Sequence, residues 1–279
     1  VMSADHQNKA DVGAAIVGKW FDQDGVDAVL DITNSAVAMA VNNLAQNYNR
    51  VFLASGPAST ALTGEACSPN TVQWTYDTYM MSYGTGTALT REGADKWFFI
   101  TAHYAFGHAL QRDTSAFVKA AGGEVLGSVS APLNSHDYSS FLLQAQSSGA
   151  TVLGLATGGM DTVNSVRQAS EFGLTQAGMR IAAMLIMLTD VRSLGLEAAQ
   201  GMVLTEPFYW DLNDDTRAWS ERFAERMDGK MPTAPQAGAY SAAMHYLKAV
   251  AELKTDEDGA AIVARMKEMP TSDPVFGEG

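Results

Sequence analysis

A chain of 279 residues, 47% of them apolar and 18% charged, carries enough hydrophobic material for one large or two ordinary buried cores. Its 31 acidic and 18 basic residues leave a formal charge of −13, which argues against nucleic acid or an anionic membrane surface as a partner, since both call for a basic face. A small anionic ligand is compatible with that charge, because helix N-termini make local positive sites on an acidic protein.

The single cysteine, Cys67, rules out an internal disulfide. A catalytic thiol would need a base, and no histidine lies near it in sequence. No apolar run reaches the roughly 18 residues of a membrane span. The opening "VMSADHQNK" lacks an initiator Met at its first position, so the chain reads as processed or truncated, with room for a preceding secretion signal.

Short apolar strands then alternate with amphipathic helices. "DAVLDI" (27–32) reads as a buried strand, and Ser35 to about Tyr48 as a helix with Val37, Ala40, Val41 and Leu44 on one face. Strands are expected at 50–55 and 96–101, a helix from about Tyr104 to Ala121, and a strand at 124–130. A helix around 138–147, a strand at 151–157, a helix from about Asp161 to Phe172, and strands at 180–185 and 201–206 follow. The remainder is mostly helical, in "DTRAWSERFAERM", "GAYSAAMHYLKAVAEL" and "DGAAIVARMKEM".

Strands separated by helices imply βαβ units and parallel sheets. The expected fold is α/β, with two Rossmann-like lobes. The aromatic and polar stretch 70–86 reads as a first crossing between lobes, and "LTEPFYWDLNDD" (204–215) as a second. Lobe 1 is thus expected to hold 1–75 and 206–279, and lobe 2 to hold 76–205. No internal repeat or low-complexity tract is present.

Chemistry is sought first at the strand ends, where ligands of open α/β sheets bind. "FLASGPASTALTG" (52–64) lacks the Lys of a phosphate loop and the Gly-x-Ser-x-Gly frame of a nucleophile elbow. It offers backbone N–H groups and the hydroxyls of Ser55 and Ser59, or it simply turns the chain. Asn34 and Ser35 follow another strand end, where they either cap a helix or leave its N–H groups for an anion. Thr157, Gly158, Gly159 and Asp161 in "ATGGMDT" form a third polar strand end. Tyr104 and Phe106 follow a fourth, and Phe208 lies at the second crossing, as core or as ligand wall. His103 and His108, five apart, are expected on different helix faces, and no metal-binding spacing is found. No catalytic constellation stands out, although an α/β enzyme would share this pattern.

Taken in order, "VDAVLDITNSAVAMAV", "VFLASGPASTALTG", "HYAFGHAL", "ATGGMDTVNSVRQASEFGL" and "GLEAAQGMVLTEPFYWD" make the chain similar to the type I periplasmic solute-binding proteins of ABC importers, the branched-chain amino-acid receptor family. The resemblance spans nearly the whole chain. Family members normally begin with a strand of the "IKIGVL" kind and a Gly-rich loop, and continue beyond "PTSDPVFGEG", so this sequence reads as a fragment lacking both ends.

The resemblance implies two lobes closing over a ligand like a clamshell, a periplasmic location, a membrane permease as partner, a monomer, and no cofactor, metal or enzymatic activity. It places Asn34 and Ser35 at the ligand-facing helix start. Ser55, Gly56, Pro57, Ala58 and Ser59 take the loop that holds the ligand carboxylate. Tyr104 and Phe106 take the second-lobe aromatic position, beside Thr157, Gly158, Gly159 and Asp161. Amino-acid binders often carry a Glu after the strand at 180–185, to pair with the ligand ammonium. Here that place reads Met184, Leu185, Ile186 and Met187, without an acid. The implied ligand is therefore a small aromatic or hydrophobic carboxylate, unless Asp161 or Glu206 supplies the charge. A branched-chain amino-acid receptor and the sensing domain of a regulator are the alternatives.

Overall fold

The computed structural model describes all residues, Val1–Gly279. The chain divides into two compact units. One consists of Val1–Asp77 with Pro207–Gly279, the other of Thr78–Glu206.

The first unit is built on a parallel sheet ordered β1 (Ala28–Leu30), β2 (Val51–Ala54), β3 (Thr71–Gln73). Period-two alternation along β2 divides its side chains between two cores. Phe52 and Ala54 pack with α1 (Ala10–Asp22) and α2 (Ser35–Asn47), through Val17, Phe21, Val37 and Val41. Val51 and Leu53 meet Ala242 and Ala249 of α11 (Ala234–Leu253) and Ile262, Val263 and Met266 of α12 (Gly259–Glu268). A further helix, α10 (Asp214–Ala224), is capped by Asn213, whose side chain accepts the Thr216 N–H at 2.9 Å. A short antiparallel pair, Ser272–Asp273 with Gly277–Glu278, ends the chain.

The second unit holds a four-stranded parallel sheet ordered β5 (Glu124–Ala131), β4 (Lys96–Ala102), β6 (Val152–Ala156), β7 (Arg180–Ala183). One face buries Phe98, Ile100, Leu153, Leu155 and Ile181 against α6 (Ser139–Ser147) and α7 (Met160–Glu171). Each such fully buried side chain contributes about 1.5–3 kcal/mol of transfer free energy. On β4, Trp97 and Phe99 alternate with Phe98 and Ile100, and their rings stack at 5.7 Å. The helix α5 (Ala105–Ala120) follows β4 and packs back on it.

Several expectations change. A helix, α1, occupies the N-terminal region where none was expected. The first strand stops at Leu30, because Asp31 (φ 79°) and Ile32 (φ 56°) turn into the left-handed region. The stretch 70–86 contains β3 and then helix, α3 (Thr78–Met81) leading through a π turn at Ser82–Gly86 into α4 (Thr87–Arg91). The expected strand at 201–206 shrinks to one parallel bridge between Val203 and Ala182. The Met-rich loop after β7 leads into two short helices, α8 (Leu188–Leu194) and α9 (Leu196–Ala199).

Candidate functional site

In the first unit the C-terminal strand edge is polar and buried. Asn34 caps α2, its side-chain oxygen accepting the N–H groups of Ala36 at 2.9 Å and Val37 at 3.2 Å. That cap uses two of the helix's free donors, so the capping role is the one realised for Asn34. Ser35 turns its hydroxyl the other way. Its Oγ accepts the backbone N–H groups of Ala58 and Ser59, both at 3.3 Å.

The loop after β2 is held from three further sides. Ser55 donates to Asp31 Oδ1 at 3.3 Å, the Tyr76 hydroxyl donates to Gly56 O at 3.1 Å, and Gln73 Nε2 donates to Pro57 O at 3.1 Å. Ser59 Oγ accepts the Ala61 N–H at 3.3 Å and caps a short 3₁₀ turn, Thr60–Leu62. Ser55 and Ser59 are 1% and 2% exposed, so these residues make a buried polar shelf. Gly56 is required by contact: a Cβ there would strike the Asp31 carboxylate. Burial raises the Asp31 carboxyl above its usual range, while the Ser55 hydroxyl and the charge of His6 oppose that shift. Asp31, Gln73 and Tyr76 were not singled out in the sequence.

In the second unit, Tyr104, Phe106, Thr157, Gly158, Gly159 and Asp161 share the C-terminal edge of adjacent strands β4 and β6. The rings of Tyr104 and Phe106 lie 5.9 Å apart. Gly159 has φ 56° where the chain enters α7, a conformation that favours glycine. Thr157 and Thr162 hydroxyls are 2.8 Å apart. Asp161, 4% exposed, accepts the Asn134 N–H through Oδ2 at 3.1 Å, while Oδ1 has no hydrogen-bond partner. The phenol of Tyr104 is pushed up to about 12, by burial first and by the Asp161 charge second. Tyr138 is shifted the same way for the same leading reasons.

Two candidates take core positions. Met184 is fully buried with its sulfur 3.0 Å from the Thr114 hydroxyl. Phe208, in the first unit, packs its ring on Trp219 at 5.8 Å and Phe276 at 6.3 Å. The histidine expectation is corrected: His103 and His108 have rings 5.3 Å apart, edge to face. His103 precedes α5, which begins at Ala105, so helical spacing does not govern the pair. No group of three or more His, Cys, Asp or Glu side chains is arranged to hold a metal ion. Cys67 is a free, exposed thiol, and no helix is long and apolar enough to cross a membrane.

Two α/β units with mainly parallel sheets and polar loops at their C-terminal strand edges define the type I periplasmic binding fold. The family profile described as "Periplasmic binding protein" matches residues 1–279, and the chain belongs to that family. A periplasmic binding protein from Burkholderia mallei is 45% identical, with a TM-score of 0.95, covering 99% of this chain and 72% of that one. A branched chain amino acid ABC transporter periplasmic ligand-binding protein from Burkholderia xenovorans is 37% identical, with a TM-score of 0.83, covering 98% of this chain and 72% of that one. Leu/Ile/Val-binding protein homolog 6 of Brucella melitensis is 23% identical over 259 residues, which is 90% of this chain. The match spans 65% of that curated relative's length.

Proposed function

We propose that this chain is the substrate-binding component of an ABC importer, working in the periplasm and delivering its ligand to a membrane permease without converting it. The ligand is a small carboxylate with an aromatic or hydrophobic body. The observation that carries this reading is the buried shelf of Ser35 and Ser55–Ser59, where neutral N–H and O–H donors gather at a parallel strand edge. Such donors suit an anion that must give up its water, since each charge-assisted hydrogen bond is worth about 1.5–3 kcal/mol. The N–H groups of Ala58 and Ser59, now turned on Ser35 Oγ, are those a carboxylate would share. Within the Thr78–Glu206 unit, Tyr104 and Phe106 form an aromatic pair of the kind that suits an apolar ligand body.

A branched-chain amino acid is the second reading, supported by the 37% identity to the branched chain amino acid ABC transporter protein of Burkholderia xenovorans. A thermal-shift screen of leucine, isoleucine, valine, benzoates, phenylpropanoids and keto acids tests both. Ligand at about 100 times its Kd adds about 2.7 kcal/mol to stability and raises Tm clearly. A response to the branched-chain amino acids alone overturns the aromatic reading, and chemical conversion of the bound ligand overturns transport.

A further inference from the structure

One donor of the carboxylate shelf is already engaged by an acid. The Ser55 O–H donates to Asp31 Oδ1 at 3.3 Å, and the Asp31 carboxylate lies against Gly56, the next residue of the same loop. All three belong to the first unit, so a ligand carboxylate held by Ser55–Ser59 meets a second carboxylate on its own shelf. The backbone holds that acid in place at some cost. Asp31 and Ile32 follow one another in the left-handed region, at φ 79° and 56°, which a β-branched residue such as Ile32 rarely adopts.

Little offsets the charge of Asp31. The groups that act on its carboxyl are the Ser55 hydroxyl, through one long neutral hydrogen bond, and the charge of His6 in the N-terminal segment. Two carboxylates on one buried shelf repel each other strongly, and a single proton bound by the pair removes that repulsion.

We propose that Asp31 is a positioning residue that takes up one proton as the ligand carboxylate settles on the shelf, turning the Ser55 hydroxyl from Asp31 to the ligand. The proton comes from solvent. Protonated Asp31 donates its O–H to Ser55 Oγ, and the Ser55 O–H, released from Asp31, donates to a ligand oxygen. Burial already raises the Asp31 carboxyl above its usual range before any ligand arrives, which lowers the cost of this step. The inference rests on the carboxylate-binding reading above and adds a regulation of that site: capture strengthens as pH falls.

Calorimetry with benzoate, 3-phenylpropanoate and leucine at pH 6 and pH 8 tests this, since all three carboxylates are ionised at both values. For each acid that binds, Kd rises about tenfold or more from pH 6 to pH 8, the slope of about half a proton taken up. Comparing phosphate with Tris buffer at pH 7 reads the same uptake directly in the unaltered chain. Asp31→Asn, which removes the charge and keeps the shape, holds Kd within about threefold across that range and abolishes the uptake. His6→Gln keeps the pH dependence, which separates the two titrating groups. Ser55→Ala weakens binding at pH 6 by about tenfold, through loss of one charge-assisted hydrogen bond. A Kd independent of pH in the unaltered chain, a dependence that survives Asp31→Asn or vanishes in His6→Gln, or full affinity in Ser55→Ala overturns the inference and leaves carboxylate binding intact. Failure of all three acids to bind at either pH overturns both.

Discussion

The hydroxyl oxygen of Ser35 accepts the backbone N–H of Ser59 at 3.3 Å, tying the first turn of α2 to the loop that follows β2. The same oxygen takes the Ala58 N–H, so one side chain satisfies two buried donors. Ser35→Ala leaves both unpaired and should lower stability by about 1–3 kcal/mol in urea denaturation. Ser35→Thr keeps the oxygen and should recover most of that loss. Full stability in Ser35→Ala would mean that the loop is held by its other contacts alone.

Asn34 acts on the helix rather than on the loop. Asn34→Ala should cost about 0.5–2 kcal/mol, and Asn34→Asp or Asn34→Ser much less, because each restores an acceptor for Ala36 and Val37. Thermal unfolding of the three variants at one pH provides the ranking.

Gly56 is a position of close approach. An added Cβ would meet the Asp31 carboxylate and would lie 3.1 Å from Thr33 Cα. Gly56→Ala should destabilise by about 1–3 kcal/mol, the usual range for overpacking. Adding Asp31→Ser should return part of it, since the carboxylate contact goes while the backbone contact stays. Additive losses in the double variant would refute this steric account.

Glu206 predicts a pH dependence of definite sign. Burial, reinforced by the Asp190 charge and opposed by the Leu188 N–H, raises its carboxyl from 4.5 to about 7. The folded state then holds a proton that the unfolded state releases, so this group takes stability away as pH rises from about 4.5 to about 7. Glu206→Gln should therefore be the more stable protein at pH 8, by about 1–2 kcal/mol once solvent screening is allowed for, and should show no gain at pH 4. Equal Tm differences at both values would contradict the buried-acid description.

The strands that carry the sheets were legible because β2, β4 and β6 are short apolar runs of a kind that a parallel sheet buries on both faces. β3 was not, since Thr71–Gln73 is polar enough to pass for loop and is a strand only by pairing with β2. Helix α1 could have been found from Gly13, Val17 and Phe21, which recur at helical spacing. Within the site, sequence order was enough to bring the polar strand ends to notice. It could not say that the Ser35 oxygen faces Ser59, or that Gln73 and Tyr76 reach back to residues 56 and 57. Those facts depend on which loops become neighbours once the strands pair. For Phe208 the sequence leaves core and ligand wall both open, and only the fold shows that its ring lies against Trp219 and Phe276.

The division of the chain also sets an order of assembly during synthesis. The Thr78–Glu206 unit is one uninterrupted stretch, and every strand of its sheet is synthesised before residue 207. The other unit cannot finish so early. Val51 and Leu53 are made well before the inserted unit, but their partners Ala242, Ala249, Ile262 and Met266 are made only after it. One face of the β1–β2–β3 sheet must therefore wait, apolar and uncovered, while the inserted unit folds. It is this face, rather than the longer second sheet, that a chaperone would be needed to shield on the nascent chain.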